Sequence, residues 1–170
     1  MKEIEVKALS DEAFRKYGEY QDLINDYEMA NRSLPGDGFK PDLIWLNFGN
    51  QNPPTISICH IRKSEKMIVK FIEYHKYTCE CLVPLDDDVI IYVGIPAPMG
   101  IKVDHLEAFY VPKYTAVKLN PCVLHGGQFP VNHEEAHLIC MLPARTFMND
   151  MNYKIIQDEG EMAQILYNNN

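Results

Sequence analysis

LEAFYVPKYTAVKLNPCVLHGGQF, residues 106–129, alternates apolar and polar positions in two successive runs. Leu106, Ala108 and Tyr110 share one side of the first run, and Thr115, Val117 and Leu119 share one side of the second. A period of two is the pattern of half-buried strands. Val111-Pro112-Lys113-Tyr114 supplies the turn between them, and Asn120-Pro121 closes the second strand with turn chemistry. Gly126 and Gly127 follow His125, so the backbone there is free to bend or to approach a ligand closely. His125 is therefore a candidate ligand or acid–base group, with an ordinary hydrogen-bonded histidine as the bland alternative.

Working outward, short apolar runs recur on both sides of this unit. Upstream, strands are expected over 42–48, 55–61, 66–74, 79–83 and 89–95, and downstream over 136–142. Residues 3–9 read as an opening strand. Ser10 then caps a helix with Asp11 and Glu12 in its first turn, Phe14 and Tyr17 on its buried face and Gly18 at its end. Residues 31–41 are rich in turn formers and read as loop. Residues 159–167 read as a short helix with Met162, Ile165 and Leu166 facing inward. Many short strands without long intervening helices indicate a sandwich or barrel. The expectation is one all-β domain: an arm of strand, helix and loop over 1–42, a barrel over 43–145, and a tail with a helix over 146–170.

Composition narrows the function classes. The chain has 170 residues, 46% hydrophobic and 24% charged, with a net charge of -8. That acidity speaks against nucleic acid as a partner, because phosphate binding needs clustered Lys and Arg. No apolar run reaches the length of a membrane span, and the opening MKEIEVKALS lacks an apolar signal region, so a cytoplasmic protein is expected. Five cysteines form no even framework of a secreted scaffold, and Cys59, Cys79, Cys81 and Cys140 sit in apolar strand-like contexts as free thiols. Trp45, the single tryptophan, is expected to pack in the core or at its rim.

The second informative stretch is FIEYHKYTCE, residues 71–80. Glu73 and His75 lie two apart, on one face of a strand, and a turn over 76–78 returns Glu80 toward them. Two carboxylates and an imidazole suit a divalent metal such as zinc, manganese, iron or nickel. They suit proton transfer equally well, with a carboxylate orienting His75. Arg62, Lys63 and Lys66 form a basic turn able to bind a carboxylate substrate, although a solvated charge run is the simpler reading. Arg145 carries the same two readings. His133-Glu134-Glu135-Ala136-His137 satisfies the His-Glu-x-x-His pattern of zinc peptidases. Its flanks read as strand rather than helix and no third ligand follows, so a polar hairpin loop is expected there.

The spacing Glu73-x-His75-x4-Glu80, a turn at Pro84, and a strand ending in His125 resembles the paired motifs of cupins, small jelly-roll barrels. More narrowly, the chain resembles the ureidoglycolate lyase family. The resemblance rests on residues 9–14 with Tyr17-Gly18, on Glu73-Tyr74-His75 followed by Val83-Pro84, on residues 89–94, and on Leu106, Ala108, Phe109, Val117, Val123, His125 and Phe129. The chain departs from the family pattern at Leu124 and Gly126 around the closing histidine, at Asn120, at Tyr74 and at Glu80.

The resemblance implies a double-stranded β-helix with short flanking helices, a homodimer, and a small-molecule substrate. It implies elimination of urea from ureidoglycolate to give glyoxylate, a step of purine catabolism. Catalysis would fall to His75, His125, Glu73 and Glu80, with Arg62 and Tyr110 binding substrate and His75, Glu80 and His125 available to a metal. A metal-dependent sugar or sugar-acid isomerase and a non-catalytic metabolite-binding cupin are the alternatives on the same barrel.

Overall fold

The computed structural model describes residues 1–25, 39–49, 52–98 and 100–168. Its first strands are β1 (Lys2–Ala8), β2 (Gly18–Asp22), β3 (Pro54–Arg62), β4 (Met67–Val69), β5 (Phe71–Tyr74), β6 (Glu80–Pro84) and β7 (Val89–Gly94). They are followed by β8 (Leu106–Val111), β9 (Thr115–Leu119), β10 (Phe129–Pro130), β11 (Glu135–Pro143), β12 (Asn152–Ile155) and β13 (Ala163–Leu166). A six-stranded sheet runs β10-β7-β8-β1-β13-β4, a five-stranded sheet runs β2-β9-β6-β11-β3, and β12 pairs with β5. This is an all-β barrel, as the strand pattern indicated, of the cupin type that the resemblance implied.

The bore between the two sheets is filled from both. Val89, Ile91, Val93, Phe109 and Val111 meet Leu82, Val117, Leu119, Leu138, Cys140 and Leu142. The other side of β7 and β8 carries Ile90, Tyr92, Leu106 and Ala108, which pack with Ile4, Val69, Leu124 and Ile165. β7 is thus buried on both faces, which is why residues 89–93 are uniformly apolar. Burying each of these large side chains contributes roughly 1.5–3 kcal/mol.

The short helix α1 (Asp11–Phe14) begins where the sequence indicates. Ser10 Oγ accepts from the Ala13 amide at 3.3 Å, and Phe14 and Tyr17 are buried, both meeting the Phe109 ring. Gly18 does more than end this turn. It opens β2, where a Cβ would stand 1.7 Å from the Lys118 carbonyl oxygen, so only glycine allows the pairing with β9.

Several expectations need correction. No strand forms over 42–48; Phe48 makes only an isolated bridge to Thr78, and Trp45 is 74% exposed rather than packed. The run 66–74 is two strands, broken at Lys70. Residues 159–167 are not a helix. A 3-10 turn over Glu159–Glu161 leads into β13, whose Ala163 and Ile165 are buried by alternation rather than helical periodicity. The arm and tail enter the six-stranded sheet itself, where β1 and β13 pair in parallel between β8 and β4. A second one-turn helix, α2 (Thr146–Asn149), and β12 were not foreseen. Most of the expected loop at 31–41 lies outside the described residues.

Candidate active site

His125 and Glu73 are fixed first by the backbone. Their main chains exchange hydrogen bonds of 2.7 and 2.9 Å, which sets the two side chains next to each other. The turn expected at Asn120-Pro121 closes through Val123 N to Asn120 O, while Cys122 N donates to the His75 carbonyl at 2.6 Å. Gly126 allows this convergence. A Cβ there would lie 1.9 Å from Tyr92 Oη, whose hydroxyl donates to the Phe71 carbonyl at 2.6 Å.

His75 is held by the segment beyond the barrel. Asp150 is buried; its carboxylate oxygens accept from the Lys76 and Tyr77 amides at 2.8 and 2.9 Å, and its carbonyl accepts from His75 Nδ1 at 2.8 Å. Phe147 of α2 stands edge-on to the His75 ring. Asp150 was not singled out in the sequence, where only the turn-prone Asn149-Asp150 pair hints at it.

Both imidazoles reach the same oxygen. His75 Nε2 and His125 Nε2 each lie 3.1 Å from Glu80 Oε2, and all three residues are buried. Each Nδ1 donates to a carbonyl, that of Asp150 for His75 and that of Val123, at 2.9 Å, for His125. These contacts leave each neutral ring with its Nε2 lone pair aimed at a carboxylate. Three lone pairs converging in a dry site are tolerable only around a proton or a cation. Burial disfavours the Glu80 carboxylate, but the charge and hydrogen bonds of the two histidines outweigh it and hold Glu80 well below the usual range. Burial disfavours the His125 imidazolium as well; Glu80, and then Glu73, overturn that and raise His125 to about 9. Cys140 Sγ donates to the other Glu80 oxygen at 3.5 Å.

Glu73 is different. Its Oε2 is buried and has no hydrogen-bond partner among the described residues. Burial raises its carboxyl above the ordinary value; His125 offsets part of that rise and Glu80 adds to it.

The metal fit follows from the same atoms. One ligand atom from each of His75, Glu80 and His125 lies within 4.8 Å of the other two. Two nitrogens and an oxygen, with both rings fixed through Nδ1–H to carbonyls, make a donor set suited to a divalent transition metal.

Not every candidate joins this cluster. Arg62 lies on the outer side of the five-stranded sheet and pairs with Glu135 at 3.1 Å. Tyr110 donates to Asp88 and stacks on Tyr167. His137 is on the outer face of β11, bonded to Asp86 and stacked on His60. Residues 131–134 are bends that carry the chain from β10 in one sheet to β11 in the other, so the His-Glu-x-x-His pattern builds no helix and the expected hairpin loop is instead a connection between sheets. Arg145 is exposed at the start of α2.

A family model described as ureidoglycolate lyase matches residues 1–162. The chain belongs to the ureidoglycolate lyase family. No curated protein matches it. Among solved structures it is similar to RmlC from Streptococcus suis in complex with dTDP-D-xylose, at 9% identity and TM-score 0.37 over 53% of this chain and 43% of that one. It is similar to dTDP-4-dehydrorhamnose 3,5-epimerase from Elizabethkingia anophelis NUHP1, at 8% identity and TM-score 0.37 over 64% and 53%. A dTDP sugar isomerase from Desulfovibrio desulfuricans G20 shows 11% identity and TM-score 0.39 over 78% and 69%. The chain spans about half the length of the first two. Likeness at this level assigns neither substrate nor chemistry.

Proposed function

We propose that this chain is a carbon–nitrogen lyase that eliminates urea from ureidoglycolate to leave glyoxylate. The observation that carries the reading is the convergence of two carbonyl-oriented imidazoles on Glu80 Oε2, beside the unpartnered carboxyl of Glu73, in a member of this family. The reaction needs a base for the substrate hydroxyl and an acid for the leaving nitrogen. His75 Nε2, oriented through its Nδ1–H, takes the hydroxyl proton and Glu80 stabilises the imidazolium that forms, while His125, raised to about 9, keeps its own proton on the shared Glu80 oxygen. The hydroxyl oxygen becomes the carbonyl of glyoxylate as the C–N bond breaks. Glu73, whose burial favours the protonated form, donates to the departing urea nitrogen and regains its proton from the imidazolium. A metal held by His75, Glu80 and His125 would add Lewis-acid polarisation of the substrate oxygens.

A cytoplasmic homodimer goes with this reading. Its support is the outer edge of β3, which has no strand neighbour among the described residues and shows Ile56 and Ile58 at 73% and 58% exposure. The test of the reaction is release of urea and glyoxylate from ureidoglycolate by the purified protein and by His125→Ala. The variant is expected to keep its circular dichroism and lose about 100-fold or more in turnover. Unchanged turnover in the folded variant removes His125 from the site.

A further inference from the structure

β5 lies between β12 on one side and the segment that carries His125 on the other. Glu73 stands directly opposite Tyr153 of β12 and directly opposite His125. Directly opposed side chains share a face, so Tyr153, Glu73 and His125 form one row across three chain segments. The Glu73 amide and carbonyl are both bonded to His125. The Glu73–Tyr153 pair is therefore of the non-hydrogen-bonded kind, whose side chains come closest. Phe71 and Ile155, opposed in the next pair on that face, extend it further from His75. The rings of Phe71 and Tyr153 stack with centroids 5.8 Å apart, and Tyr153 and Ile155 are 57% and 60% exposed. Ile72, between Phe71 and Glu73, is fully buried in the core behind the opposite face. An aromatic shelf open to solvent thus continues from the unpartnered carboxyl of Glu73.

In the proposed elimination Glu73 donates to the leaving nitrogen, so whatever that nitrogen carries lies against a neighbour of Glu73. Two of those neighbours, His125 across the bridge and His75 along β5, are committed to Glu80. Phe147 also stands edge-on to the His75 ring. The neighbours left on this face are Tyr153 and, next to it, Phe71 and Ile155. We propose that Phe71, Tyr153 and Ile155 form a leaving-group subsite, which admits ureidoglycolates whose departing urea carries an aryl group on its far nitrogen. The inference rests on the lyase reading and adds a substrate class to it. The aryl ring lies over Tyr153 and covers apolar surface that is otherwise exposed. Unsubstituted urea presents no apolar surface to these side chains. The chemistry balances as it does for ureidoglycolate. The C–N bond breaks, the hydroxyl proton passes to His75, and the hydroxyl oxygen becomes the carbonyl of glyoxylate. Glu73 protonates the nitrogen of the departing arylurea, and no further reactant enters.

The experiment titrates phenylurea and urea by calorimetry into the full chain and into folded Tyr153→Ala and Tyr153→Phe. The same proteins are then given ureidoglycolate and its derivative with phenyl on the far nitrogen, and glyoxylate is measured. The wild type and Tyr153→Phe are expected to bind phenylurea about tenfold or more tighter than urea. Tyr153→Ala should lose most of that preference, and its kcat/KM ratio between the phenyl substrate and ureidoglycolate should fall by a similar factor. Equal affinity for the two ureas, or a preference that Tyr153→Ala retains, overturns the subsite. Cleavage of ureidoglycolate alone overturns it as well. A phenylurea preference that depends on Tyr153, in a protein that cleaves neither compound, supports the subsite and sinks the lyase reading instead.

Discussion

Glu80 Oε2 faces both imidazoles because the carbonyls of Asp150 and Val123 have already taken the two Nδ1 protons. The pair titration this creates has a definite sign. In metal-free protein His125 is raised from its ordinary 6.5 to about 9, so its contribution to stability is complete below pH 6.5 and is lost as pH rises toward 9. Glu80 runs the other way: its depressed carboxyl contributes above the ordinary carboxylate range and loses that contribution as pH falls through it. After chelation, Tm should therefore decline between about pH 6.5 and 9 more steeply in the wild type than in His125→Gln. Parallel Tm profiles for the two proteins would mean that His125 carries no extra proton. Glu73 and His75 were legible as a same-face pair and Glu80 as their partner after the turn. Arg62 had two readings because a basic turn says nothing about which side of a sheet it occupies, and it lies on the outside paired with Glu135.

The segment holding α2 and Asp150 shows what periodicity misses at the level of elements. A one-turn helix and a four-residue strand carry too few positions to show a period, yet they fix His75 through one carboxylate and one carbonyl. Hydrogen bonds to a charged group are worth about 1.5–3 kcal/mol each. Asp150→Ala removes both carboxylate bonds to the Lys76 and Tyr77 amides, and we expect it to lower unfolding free energy in urea by about 3–6 kcal/mol and to slow turnover by freeing His75. A folded variant with wild-type stability and turnover would show that the loop over 76–78 holds itself. The capped start of α1 was readable because Ser10, Asp11 and Glu12 act locally, whereas the tail misled. Met162, Ile165 and Leu166 fit a helix on paper, and pairing with β1 and β4 makes a strand of them.

Across the whole molecule, strand spacing announced a barrel but not its pairing. β1 and β13, the two ends of the chain, lie side by side in parallel between β8 and β4, and no local signal encodes a contact of that sequence separation. Cutting the chain after Met162 should leave β1 and β4 without their shared neighbour, and the product should be insoluble or lack a cooperative thermal transition. A soluble fragment with the full-length Tm would show β13 to be dispensable. The convergence of His75, Glu80 and His125 likewise joins separate parts of the chain, since Glu80 belongs to the five-stranded sheet while Glu73 and His125 meet at an isolated bridge.

The most direct measurement is urea release from ureidoglycolate by the wild type and by Glu80→Gln, a variant that keeps the shape and removes the charge shared by the two histidines. The account predicts release by the wild type and a loss of about 100-fold or more in a Glu80→Gln protein with unchanged circular dichroism. Equal release by the two folded proteins, or none by the wild type, would contradict it.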